Sequence, residues 1–164
     1  MSAIDWKTLW KVVSDQFPLG YESTHGPSHW RRVERNGLLI ATRSGADETV
    51  IRLFAVFHDS RRENEGSDPE HGVRGAKLAA KMRGRYFELD DALFVQLTDA
   101  CDWHTHKRHH ADPTIGTCFD ADRLDLGRVG IIPDEEYMNT EFGREIARAG
   151  SIQPFLGRAA RLKD

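Results

Sequence analysis

Several residues of this 164-residue chain carry chemistry-capable side chains at positions where a helix face should be apolar. Asp122 falls in the series Phe119, Asp122, Leu126, Val129, at helical spacing, so the pattern puts a carboxylate on an apolar stripe. A carboxylate buried alone is very costly and must be neutralised, paired or bound to a metal. His104 extends the stripe Leu93, Leu97, Ala100, Cys101, and His71 falls in line with Gly75, Leu78 and Met82. His58 and Asp59 end the apolar run Leu53-Phe54-Ala55-Val56-Phe57, where neighbouring side chains can converge as a helix gives out. Imidazole nitrogen and carboxylate oxygen together form the ligand set of a divalent transition metal such as manganese, iron or zinc. Open coordination positions would serve water and substrate.

Each residue also has an ordinary reading. A lone histidine on an apolar face is more often a hydrogen-bonded core residue than a ligand, and a lone buried aspartate more often caps a helix or pairs with an arginine such as Arg123. The run from His104 to His110 suits a solvated loop, which is the reading taken for His109 and His110. These ordinary readings must all hold independently, whereas a metal accounts for several residues at once.

The elements that must position these groups are helical. Trp6, Leu9, Trp10, Val13 and Phe17 mark a first helix closed by Pro18-Leu19-Gly20. A second starts near Pro27-Ser28 and carries Trp30, Val33, Gly37 and Ile40, and a third runs from the N-cap Asp47 through Phe57. Asp68-Pro69-Glu70 reads as the opening of a fourth helix, reaching about Arg85. Asp90 opens a fifth. The spacing predicts a loop over 107–116, a sixth helix over about 117–126, and one or two short helices between Asp134 and Leu162. No period-two strand pattern of useful length appears. The expectation is an all-α, compact helical bundle forming one domain over residues 1–164.

Composition narrows the function. Apolar residues are 39% and charged residues 30%, the balance of a globular protein, and no apolar run approaches the about 20 residues of a membrane span. The start has neither the basic flank nor the apolar core of a secretory signal, so the expected location is cytoplasmic, with no membrane partner. A net charge of −3 provides no basic field for nucleic acid. Cys101 and Cys118 read as reduced packing residues. Trp6, Trp10 and Phe155 suit core or interface equally, which leaves the oligomeric state open.

With His29 followed by Val33, then His58-Asp59, then Ala121-Asp122-Arg123-Leu124-Asp125, the chain resembles the HD-domain phosphohydrolases and their ordered H…HD…D signature. The resemblance spans about residues 25–130. It implies a helical bundle with a divalent metal (manganese, iron, magnesium or zinc) held by His29, His58, Asp59 and Asp122. Asp120 competes for the last position. Asp68-Pro69-Glu70-His71-Gly72, with Arg74-Gly75-Ala76 and His104, is similar to a subgroup whose extra histidines hold a second metal or contact the substrate phosphate. One tightly held ion is the reading preferred here, with His71 and His104 on the substrate, because the four core ligands are complete without them.

The resemblance further implies hydrolysis of a phosphomonoester, phosphodiester or anhydride of a nucleotide or similar small molecule. Asp59 would orient the attacking water and Glu63 would serve as general acid or base, although a solvated loop residue accounts for Glu63 equally well. Among Arg61, Arg62, Arg74, Lys77, Lys107 and Arg123, the two chosen for substrate phosphate are Arg62 and Lys107. The chain lacks the G-Y-P motif of cyclic-di-GMP phosphodiesterases and the synthetase half of the bifunctional alarmone enzymes. The competing readings are a di-iron oxygenase on the same fold and a non-catalytic nucleotide-binding module.

Overall fold

Stripes of 3.6-residue period fold into seven α-helices among the residues described, 4–157 of this computed structural model. They are α1 (Trp6–Asp15), α2 (Pro27–Ser44), α3 (Glu48–Phe57), α4 (His71–Met82), α5 (Asp91–Trp103), α6 (Pro113–Arg123) and α7 (Glu141–Arg148). Short 3-10 turns span Leu126–Val129, Glu135–Tyr137 and Gln153–Phe155, and the described residues contain no strand. The fold class is all-α, as expected. Among the described residues, no helix is long and apolar enough to cross a membrane.

The third helix is the axis of the molecule. Val50, Ile51, Leu53, Phe54, Ala55, Val56 and Phe57 are all buried, so beyond its first turn only Arg52 interrupts the apolar surface of a helix enclosed by others. Asp47 starts it by accepting the Val50 N–H at 2.9 Å. Around it pack α2, α5 and α6, with α4 lying against α5 and the end of α3. Two glycines let α4 approach. A Cβ on Gly75 would collide with the Phe57 carbonyl, and one on Gly72 with the Cys101 carbonyl. The first residue of α4, His71, is thereby brought down beside the ends of α3 and α5.

Several boundaries differ from the sequence expectation. α4 opens at His71 rather than at Asp68-Pro69, because the Asp68 carboxylate is engaged elsewhere: it accepts the Glu63 N–H at 2.9 Å and pairs with Arg74 at 2.6 Å. The same helix stops at Met82, short of Arg85, where Gly84 turns the chain at φ +80° toward an isolated bridge between Arg83 and Phe87. α6 begins at Pro113, inside the predicted loop. Asp112 accepts the Thr114 and Ile115 N–H groups at 2.9 and 3.0 Å, and proline in the first turn needs no amide partner, so polar composition hid a helix start. α6 also ends at Arg123, and Val129 is 45% exposed, so the stripe drawn through Asp122 stops short of it. Phe17 follows the end of α1 yet remains buried. Of the predicted terminal region, α7 and the last 3-10 turn are present, and 158–162 lie outside the described residues.

Candidate metal centre

The proposed ligands all sit at helix ends. His29 lies in the first turn of α2, His58 caps the C-terminus of α3 with Asp59 after it, and His71 starts α4. His104 caps α5, and Asp122 lies in the last turn of α6. A helix terminus leaves backbone carbonyls without intrahelical partners, and two of the histidines use them. His58 Nδ1 faces the carbonyls of Phe54 and Ala55 at 3.1 and 3.2 Å, and His104 Nδ1 donates to Cys101 at 2.7 Å. His71 Nδ1 donates to the Asp68 carbonyl of the preceding turn. His29 Nδ1 bonds the Asp125 carboxylate at 2.6 Å, and Arg32 Nε holds the other Asp125 oxygen at 2.7 Å. In all four rings an oxygen acceptor places the hydrogen on Nδ1 and leaves Nε2 as the ligand atom.

The four Nε2 atoms converge on Asp59. Around its Oδ2 stand His29 Nε2 at 3.4 Å and His58 Nε2 at 3.6 Å, and the two nitrogens are 3.1 Å apart. Asp122 Oδ1 joins this group at 3.2 Å from His29 and 3.7 Å from His58. Around Asp59 Oδ1 stand His71 Nε2 at 3.1 Å and His104 Nε2 at 3.8 Å, themselves 3.0 Å apart. Donors held about 2.0–2.2 Å from one cation stand about 3.0–3.6 Å from each other. His29, His58 and Asp59 meet that spacing, as do Asp59, His71 and His104, whereas Asp122 has it to the two imidazoles of the first group only. Nitrogen lone pairs turned toward one another repel unless a proton or cation lies among them, so the donor chemistry also fits a metal. Each group could hold an ion, with Asp59 shared between them.

No family model matches the sequence, and no curated protein matches it. The fold is similar to the crystal structure of a predicted HD superfamily hydrolase from an uncultured Thermotogales bacterium. The TM-score is 0.70 and the identity 27%, over 87% of this chain and 83% of that one. With the His58-Asp59 pair at the centre of the donor cluster, the chain is similar to an HD superfamily hydrolase in fold and in the residues that gather there.

Electrostatics in this HD cluster follow from its burial. Burial disfavours a charged His29, but its hydrogen bonds to Asp122, Asp125 and Asp59 outweigh it and raise its pKa to about 10. Burial likewise would raise the Asp59 and Asp122 carboxyls. The charge of His58 and hydrogen bonds from His104, His25 and His29 hold Asp59 well below the usual range, and His29 and His58 do the same for Asp122. The side chains of His29, His58, Asp59, His71 and His104 are at most 4% exposed, against 16% for Asp122 and 12% for His25. The HD centre therefore opens toward solvent past Asp122 and His25.

The remaining predicted residues divide sharply. Asp120, the rival of Asp122, is fully buried and accepts bonds from the backbone and side chains of both Asn139 and Thr140, at 2.7–3.0 Å. It anchors the approach to α7. Arg62 is buried with its Nε 3.7 Å from Asp59 Oδ1 and no hydrogen-bond acceptor for that Nε–H. Glu63 is not brought to the cluster: its side chain is 67% exposed and lies 3.6 Å from Arg74. Lys107 packs its ammonium over the Trp103 ring, and Arg123 is occupied by the carbonyls of His104, Lys107, Arg108 and Tyr137. Arg74 holds Asp68, and Arg61 reaches the Gln16 carbonyl. His109 faces the Glu136 carbonyl, consistent with an ordinary surface role.

Sequence reasoning missed two contributors. His25 Nδ1 donates to Asp59 Oδ2 at 3.2 Å, and Asp125 orients His29. Asp125 had a usable signal, since it lies three residues after Asp122, close to one helical turn. His25 precedes α2 in an irregular segment, where no periodicity could assign it.

Proposed function

We propose that this chain is a metal-dependent phosphohydrolase acting on a phosphate ester or anhydride of a nucleotide or similar small molecule. The observation that carries the reading is the sharing of Asp59. Its two oxygens face two separate pairs of imidazoles, with Asp122 beside the first pair. On this reading His29, His58, Asp59 and Asp122 hold one divalent cation, and Asp59, His71 and His104 hold a second. The single-ion preference drawn from the sequence is thus replaced by two, and His71 and His104 pass from substrate contact to ligation. Manganese, iron, magnesium and zinc are all candidates. Cations at these positions would lower the pKa of water and neutralise charge building on a phosphoryl group, which is what phosphate-ester hydrolysis near neutral pH requires.

The chain's own residues supply the rest. Asp125 and the helix-end carbonyls lock the imidazole orientations, so the donors need not reorganise during the reaction. Arg62 offers an unpaired Nε–H beside Asp59, suited to a substrate phosphoryl oxygen. Nothing in the geometry supports the acid–base role for Glu63 or the substrate role for Lys107.

The test combines metal analysis of purified protein with a screen of nucleoside monophosphates, cyclic nucleotides and dinucleoside polyphosphates in manganese, magnesium and iron. Release of phosphate or of a nucleotide, abolished by chelator and restored by metal, is expected. The same donors also suit two irons in an oxygenase. Two irons per chain with turnover that stops under argon would transfer the assignment to that reading.

A further inference from the structure

A second cavity lies on the other side of α2 from the metal donors. It has a volume of about 580 Å³ and is lined by Trp6, Lys7, Trp10, Lys11 and Ser14 of α1, together with Tyr21, Pro27 and Arg31. Pro27 and Arg31 are one turn apart on α2, and each is two residues, about 200° of helical rotation, from the buried His29. The cavity is therefore distinct from the HD centre, and nothing in the metal chemistry explains it.

Its lining combines rings with positive charge. Tyr21, 61% exposed, and the half-buried Trp6 supply aromatic surface; the Arg52 guanidinium takes one face of Trp6 at 3.8 Å, and Trp10 is 4% exposed. Lys7, Lys11 and Arg31 supply three cations in a chain whose net charge is −3. Some of that charge is answered locally: Lys11 pairs with Asp15, and Arg31 lies 3.4 Å from Glu34 while its guanidinium covers the Trp10 ring at 3.5 Å. Lys7 forms no ion pair among the described residues, and the buried Trp10 Nε1–H has no acceptor. Buried donors are normally satisfied, and this orphan belongs to a residue that lines the cavity. The volume falls within the range of small-molecule sites.

We infer that this α1–α2 cavity is a second ligand site, and that it takes a small planar anion of the nucleotide class. The base would lie against the aromatic surface and the phosphate against Lys7 and Lys11. Aromatic faces accept any base by stacking and lysines meet phosphate as point charges, so the site selects the class rather than the base. The inference does not rest on the hydrolase reading.

The test follows the four tryptophan indole N–H resonances of ¹⁵N-labelled protein during titration with adenosine 5′-methylenephosphonate, which resists hydrolysis. Trp103 is the internal control, because it ends α5 beside the donor His104 and so reports on the metal side. Saturable movement of the Trp6 and Trp10 resonances is expected, with Trp103 unmoved; Trp30, whose ring packs against Trp10, follows Trp10. Adenosine and ribose 5-phosphate, each with half of the required chemistry, should bind at least tenfold more weakly. Lys7→Glu/Lys11→Glu, at two exposed positions, should weaken binding at least tenfold and leave hydrolysis unchanged. Movement of Trp103 alone, unaltered binding by the double variant, or tighter binding of a single-stranded oligonucleotide than of the mononucleotide would overturn the assignment.

Discussion

Asp59 and Asp122 do different work at the residue scale, and metal stoichiometry separates them. Asp59→Ala removes the oxygen donors of both groups and should lose both ions, whereas His104→Ala should keep one. Asp122→Ala should weaken the ion beside His29 and His58. Asp120→Ala should keep full metal content but lose about 3 kcal/mol of stability, since its removal strands several buried donors at Asn139 and Thr140. Elemental analysis and chemical denaturation read the two effects separately. Full metal content in Asp59→Ala would refute the shared-ligand arrangement.

The His29 pKa makes a second residue-scale prediction, for chelator-treated protein. Its folded value of about 10 exceeds the reference of 6.5, so proton binding favours the folded state. That contribution is fully present below pH 6.5 and is lost as pH rises through about 10. Stability of the metal-free protein should fall across this window, and Asp122→Asn should flatten the fall. A cation at His29 must displace the same proton, so metal loading near pH 7 should release protons, measurable by calorimetry in buffers of different ionisation enthalpy. Loading without proton release would show that His29 carries no proton to displace.

Helix placement is the concern at the element scale. α4 reaches the cluster only because Gly72 and Gly75 let its backbone touch the ends of α5 and α3. Gly75→Val should push α4 outward and cost about 1–3 kcal/mol, as overpacking does. Because His71 rides on α4 while His29 and Asp122 do not, the ion at His71 and His104 should be lost before the other. Metal analysis after dialysis should find about one ion per chain. Retention of both would mean that α4 tolerates displacement without carrying His71 with it.

For the whole molecule, the donors join five helix ends, so metal should act as a cross-link of the fold. At free metal 100-fold above Kd, each ion bound only by the folded state adds about 2.7 kcal/mol. In a chain of this size that is about 5–10 °C in Tm. Thermal melts with and without chelator should show the rise in the parent, part of it in His58→Ala and little of it in Asp59→Ala. Circular dichroism should be dominated by helix in both, since the central apolar helix α3 is buried without help from the cation. An unshifted Tm in the parent would place the ion on the surface rather than among these helices.

The all-α fold and the order of helices were legible in the chain because burying one helix face requires a 3.6-residue apolar period, and Trp6 to Val13 or Val50 to Phe57 carry it openly. His58, His71 and His104 were legible as polar interruptions of such stripes, and His29 only through the spacing of a resembled motif. What the chain alone left open was every relation across long sequence separations. Asp120 and Asp122 differ by two residues in one helix, about 200° of rotation, and only the position of Asn139 and Thr140 gives one of them a structural partner while His29 and His58 claim the other. Glu63 lies near Asp59 in sequence, but Arg74 and solvent take its side chain, whereas His25, distant in sequence, reaches Asp59. The count of candidate ions likewise depends on which Asp59 oxygen faces which histidine pair. Periodicity reports which face of a helix is buried; what that face meets is decided by the packing of the other helices.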